Sequence, residues 1–162
     1  MTSKHSSKTS RRSFIKKAAL ASSTIVVPTI IPRHVLGSPE SPGANDQINV
    51  GIIGMGVRGA QLITNVPQSG RIGAICDTDQ RKTSAAINEH RADWKVYQDY
   101  RNLIEQKDLD AVIVATTDHH HVLAGMLACQ AGLDVYCEKP VSLYLKEGRA
   151  LVNAARKYKR VI

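Results

Sequence analysis

From Gln47 onward the hydrophobic positions fall into short apolar runs separated by stretches of helical spacing. Ile48–Ile53 is an apolar, β-favouring run followed by a helix-compatible segment, Gly59 to Thr64, which the Pro67 and Gly70 region ends. The pattern then predicts a strand at Ile72–Cys76, a polar helix at Gln80–His90, a short strand at Trp94–Tyr97 and a short helix at Tyr100–Glu105. Asp110–Ala115 is continuously apolar, as a strand covered on both faces is. A helix over His119–Ala131 places Leu123, Met126 and Leu127 on one side, with Gly132 as its stop. Asp134–Cys137 reads as a strand, and Leu145–Lys159 as a helix with Gly148, Leu151, Val152 and Ala155 at core spacing. Val161-Ile162 opens one more strand, where the sequence stops. Strands alternating with helices imply right-handed βαβ units in a doubly wound parallel sheet. The expected strand order is 3-2-1-4-5-6, with the sixth strand apparently truncated at its start.

The first strand runs into Gly54-Met55-Gly56-Val57-Arg58-Gly59, a G-x-G-x-x-G turn opening a helix. That order suits a pyrophosphate. Gly54 allows a sharp turn, Gly56 lets the backbone approach a phosphate, and Gly59 lets helix and strand pack closely. The second strand ends in Asp77, 23 residues after Gly54, close to the roughly 20 expected of a carboxylate that binds the ribose of a dinucleotide.

Charge and composition narrow the alternatives. Net charge is +8, but residues 1–45 carry +6 of it and residues 46–162 only +2. A nearly balanced domain with one Phe and one Trp has neither the basic stripe nor the aromatic platforms of a nucleic-acid binder. Cys76, Cys129 and Cys137 cannot all pair and show no C-x-x-C spacing, so they read as buried free thiols. At the N-terminus, Ser10-Arg11-Arg12-Ser13-Phe14-Ile15-Lys16-Lys17 resembles the twin-arginine export signal. Ala18–Ile31 after it is too short and mild for a stable membrane span. The expected organisation is a signal segment at 1–37, a Pro/Ser/Gly linker at 38–46 and a dinucleotide-binding domain at 47–162. Export by the translocation machinery to the periplasm follows from the signal.

In an open α/β sheet the loops after the strands converge on one crevice. After the fourth strand lies Thr116-Thr117-Asp118-His119-His120-His121. It reads either as a polar helix start with Asp118 as N-cap, or as a metal site. Three adjacent histidines on one helical turn point in different directions and chelate poorly, which favours the first. After the fifth strand lies Glu138-Lys139-Pro140. It is either a charged loop or a site in which a lysine, in a partly dry cleft, has its basicity tuned for chemistry.

These segments together resemble the N-terminal domain of the glucose–fructose oxidoreductase/inositol dehydrogenase (Gfo/Idh/MocA) family, over about residues 47–162. The resemblance rests on Gly54–Gly59, Ala74-Ile-Cys-Asp77, Asp110–Thr116, Asp118-x-x-His121 and Asp134-Val-Tyr-Cys-Glu-Lys-Pro140. It implies a Rossmann fold and hydride transfer to or from a sugar or polyol. By position, Gly54, Met55, Gly56, Val57, Arg58 and Gly59 would hold the pyrophosphate. Asp77 would bind the adenosine ribose and favour NAD, while Arg81 and Lys82 keep NADP open. Thr116 and His121 would line the cofactor site, Glu138 would contact the nicotinamide ribose, and Lys139 would be the catalytic residue. The family's T-P-N-x-x-H reads Thr116-Thr117-Asp118-x-x-His121 here, which alters the local loop. Members continue into a second α/β domain that supplies most of the sugar-binding surface, so the 162 residues alone are expected to bind cofactor without turnover. An exposed strand edge admits a homo-oligomer. Two other readings stand beside the oxidoreductase: an NAD-dependent glycosidase of the same family, and a non-catalytic cofactor-binding fragment.

Overall fold

The computed structural model describes Gly43 and residues 46–162. The twin-arginine segment, and the linker apart from Gly43 and Asp46, lie outside the described residues. Five strands form one parallel sheet in the order β3-β2-β1-β4-β5. They are β1 (Ile48–Ile53), β2 (Gly70–Cys76), β3 (Lys95–Tyr97), β4 (Ala111–Val114) and β5 (Asp134–Cys137). The helices are α1 (Val57–Ile63), α2 (Gln80–His90), α3 (Tyr100–Ile104), α4 (Asp118–Ala131) and α5 (Leu145–Tyr158). The strand order matches the expected one through its first five members. Beyond β5, the Val135 N–H donates to the Val161 carbonyl at 2.9 Å, so the start of the last apolar segment already lies along the outer edge of β5.

Both faces of the sheet are covered, as the apolar strands require. Successive strand residues point to opposite faces. Ile52 and Ile75 pack with Met55, Ile63 and Ala86 on the side of α1 and α2. Ile53, Cys76, Val112, Val114 and Val135 pack with α3, α4 and α5 on the other.

Three local expectations are corrected. α4 buries Val122, Ala124, Gly125, Ala128 and Cys129, whereas Leu123 is exposed and Met126 and Leu127 are half-buried. Its contact face is made of small residues because α5 lies close against it: a Cβ on Gly125 would stand 3.0 Å from Leu151 Cδ1. On α5, Leu151 and Ala154 are buried and Val152 points outward. The N-cap of α4 is Thr117 rather than Asp118, which sits in the first turn, where its charge complements the helix dipole. Among the described residues, no helix is long and apolar enough to cross a membrane.

Candidate functional site

The turn from β1 into α1 is fixed by contacts that tolerate no side chain. Gly54 has φ +96° and its N–H donates to the Cys76 carbonyl at 2.8 Å. A Cβ there would lie 2.5 Å from the Ala115 carbonyl oxygen, and a Cβ on Gly59 would collide with the Gly54 carbonyl oxygen. Gly56 differs: a Cβ would meet nothing within 4 Å, because the residue borders open space.

That space is a cleft of about 500 Å³ at the carboxyl ends of the strands. Gly54, Gly56, Val57 and Arg58 line it after β1, and Asp77, Thr78 and Lys82 after β2. Gln98 and Tyr100 line it after β3, and Thr116, Thr117, His119 and His120 after β4. Four strand ends therefore contribute to one crevice, as the fold requires of an open α/β sheet.

Asp77 organises the β2 side. Its Oδ2 accepts the Met55 N–H and its Oδ1 accepts the Asp79 N–H, both at 2.8 Å. Lys82 Nζ stands 3.7 Å from Oδ2. Met55 thus serves the site through its backbone, while its side chain is buried in the core. Arg81 is turned away: its guanidinium makes two 2.9 Å hydrogen bonds to Asp79, which hold the Asp79 carboxyl down at about 2. Of the two cations after Asp77, Lys82 faces the cleft.

The loop after β5 joins the site through one ion pair. Arg58 Nε donates to Glu138 Oε1 at 2.7 Å, between a half-exposed arginine and a buried glutamate. The hydrogen bond from Arg58, then that from the Lys139 N–H, keep Glu138 more acidic than usual. A lowered carboxyl pKa makes the pairing complete at neutral pH and lost only as pH falls through the folded-state value. Lys139 itself is exposed rather than set in a dry cleft, since its loop projects past the end of β5.

His121 is placed differently from its neighbours. It is 1% exposed and does not border the cleft. Its Nδ1 lies 2.7 Å from the Pro140 carbonyl and its Nε2 3.1 Å from the Thr116 carbonyl. His119 and His120 do border it, their rings 4.5 Å apart. Among the described residues, no group of three metal-ligating side chains is gathered. The cysteines are free; burial, with Asp77 next in effect, pushes the Cys76 thiol up to about 12, and burial and Glu138 push Cys137 to about 11. Neither is poised as a nucleophile.

Gln98, Tyr100, Thr117, His119 and His120 line the cleft without having been singled out from the sequence as cofactor ligands. For Gln98 and Tyr100 the signal that could have found them is the convergence rule applied to the end of β3; Thr117, His119 and His120 lie in the loop the rule did pick out, where they read as a helix start or a metal site.

A dinucleotide fits these residues. A side-chain-free position at Gly56 opens onto the cleft, and a carboxylate with lone pairs to spare stands at the end of β2. A family described as oxidoreductases with an NAD-binding Rossmann fold matches residues 48–162. The inositol 2-dehydrogenase of Salmonella typhimurium is 27% identical over 113 residues, covering 68% of this chain and 34% of the relative. A glycosyl hydrolase family 109 protein of Shewanella is 30% identical over 166 residues, covering 90% of this chain and 36% of the relative. The crystal structure of myo-inositol 2-dehydrogenase from Lactobacillus plantarum superposes with a TM-score of 0.65 at 27% identity, covering 72% of this chain and 35% of that one. The chain spans about a third of the length of each of these proteins.

Proposed function

The chain belongs to the Gfo/Idh/MocA oxidoreductase family, whose NAD-binding Rossmann fold it carries, and from that premise we propose that it serves hydride transfer between NAD and a sugar or polyol. The observation that supports this reading is the cleft, where the glycine turn and Asp77 meet beside a loop that carries Lys139. Bound NAD supplies the hydride acceptor. The chain's own part is threefold: Gly56 leaves room for the pyrophosphate, Asp77 accepts hydrogen bonds from the adenosine ribose, and Lys139 takes or gives the hydroxyl proton of the substrate. The test is NADH formation, followed by absorbance, with the native protein across a panel of sugars and polyols. Steady NADH formation with one of them supports the reading; none with any of them rejects it.

A second reading has one observation in its favour: the family 109 glycosyl hydrolase relative aligns over 90% of this chain. A glycosidase of this kind would oxidise the sugar transiently with NAD, eliminate the leaving group, add water in its place and reduce the carbonyl again with the NADH formed, with no net redox change. Release from a chromogenic glycoside without NADH accumulation would establish that alternative.

NAD is expected to bind more tightly than NADP, because a carboxylate at Asp77 repels a 2′-phosphate. The margin is narrowed by Lys82, 3.7 Å away. Asp77→Asn, which keeps an acceptor for the Met55 N–H, should reduce the preference about tenfold, and Lys82→Met should widen it. Titration calorimetry with both cofactors measures this, and tighter NADP binding by the unaltered chain contradicts the assignment.

We also propose export by the twin-arginine route, on the strength of Arg11-Arg12 and the Phe14-x-Lys16 context. That route carries folded proteins, so the cofactor would be acquired before export. Changing both arginines to lysine should retain the protein inside the cell on fractionation; unchanged export of that variant contradicts the signal.

A further inference from the structure

Three polar or charged side chains are buried among the described residues: Thr83, His121 and Glu138. Thr83 bonds back to its own helix through the Gln80 carbonyl. The other two flank Lys139. Glu138, on one side, accepts the Arg58 Nε–H at Oε1 (2.7 Å) and the Lys139 N–H at Oε2 (3.1 Å). Pro140, on the other, has its carbonyl oxygen 2.7 Å from His121 Nδ1. Burying a carboxylate is costly unless it is paired and fully hydrogen-bonded. His121 meets two carbonyls from different loops, that of Thr116 after β4 and that of Pro140 after β5, so it links the two loops at a buried point. Both polar groups thus act on the residues adjacent to one lysine.

We infer that Arg58, Glu138 and His121 are positioning residues for Lys139, the Arg58–Glu138 ion pair fixing its backbone to the glycine turn and His121 fixing it to the loop after β4. Arg58 is on the first turn of α1 and His121 on the first turns of α4, so the elements that hold the cofactor also carry the lysine. The spacing between the pyrophosphate end and the nicotinamide end of the cleft is then set by two short contacts rather than by the exposed loop itself. Glu138 then meets the nicotinamide ribose with the lone pairs left over from Arg58 and the Lys139 N–H. The inference rests on the reading of Lys139 as the group beside the nicotinamide.

The experiment compares NADH with ADP-ribose, which shares every part of the cofactor except nicotinamide. Affinities come from calorimetry, and the fluorescence of bound NADH reports the surroundings of the nicotinamide directly. Lys139→Ala is expected to lower the preference for NADH over ADP-ribose about fivefold. Glu138→Gln and His121→Phe should lower the same ratio, and for His121→Phe, at a residue that does not border the cleft, the ADP-ribose affinity should stay within about twofold of the unaltered chain. In the Lys139→Ala background neither substitution should change the ratio or the NADH emission further, because both act through that residue. Where His121→Phe does not fold, His121→Gln, whose amide still offers N–H donors but not the ring's two-ended reach, carries the same comparison. Equal losses for both ligands, or effects that add in full to Lys139→Ala, would overturn the positioning role while leaving Lys139 in place. A Lys139→Ala chain indistinguishable from the unaltered one in both ratio and emission would instead remove the reading of Lys139, and the inference with it.

Discussion

Lys139→Ala is expected to lower hydride transfer by the native protein about 10²–10⁴-fold, the usual contribution of a positioned general acid or base. The effect on NAD affinity should be no more than about tenfold, because the Arg58–Glu138 pair that ties the glycine turn to the loop after β5 does not use the Lys139 side chain. The separation of the two effects is what the geometry requires. Asp77 is held by the Met55 and Asp79 N–H groups, neither of which touches Lys139. Lys139 is exposed, so its removal leaves no cavity and no unpaired buried charge, and the midpoint of thermal unfolding should not move. Steady-state rates and calorimetry on the same preparation give both numbers. A variant that keeps its rate, or loses rate and cofactor affinity in proportion, contradicts the role assigned to this lysine.

The second large effect separates two glycines of one motif. Gly59→Ala should destabilise the domain by about 3 kcal/mol, at the upper end for overpacking, because the new Cβ meets a backbone oxygen. That oxygen belongs to Gly54, whose own N–H is bonded to Cys76, while Ala115 N–H is bonded to Ile53, so the turn has little room to retreat. Against a total stability of about 5–15 kcal/mol the loss is a large fraction. Gly56→Ala should leave stability within about 0.5 kcal/mol, since its φ of −70° suits any residue and its Cβ touches nothing. It should nonetheless weaken NAD at least about tenfold, because the methyl group occupies the space a phosphate needs. Urea unfolding and cofactor titration of the two variants check this. A Gly56→Ala chain with full NAD affinity would show that the cofactor does not approach the backbone at this turn.

What could be read from the sequence was local. The run Ile48–Ile53 into three spaced glycines defines a strand, a turn and a helix within twelve residues, and Asp77 closes the next strand. Each depends on near neighbours, so pattern and spacing suffice. The Arg58–Glu138 pair joins residues 80 positions apart, and no periodicity marks it. His121 could be singled out as the last of three histidines, but its role as a buried link between the Thr116 and Pro140 carbonyls depends on how the loops after β4 and β5 meet. The contact face of α4 is illegible for a related reason. The pattern shows that Leu123, Met126 and Leu127 share a side, yet the close approach of α5 selects Ala124, Gly125 and Ala128, and Leu123 is left outside. Crowding between two helices is a property of their spacing, which the pattern along either one does not encode.

Cofactor is expected to occupy the crevice at the ends of β1, β2 and β4. Titration of NAD into the isotope-labelled chain, followed by backbone amide shifts, tests this most directly. The expected changes concentrate at Gly54–Gly59, at Asp77 to Lys82 and at Thr116 to His120. Changes confined to the opposite end of the strands, around Ile48, Pro67 and Gly70, or no change at millimolar NAD, would contradict it.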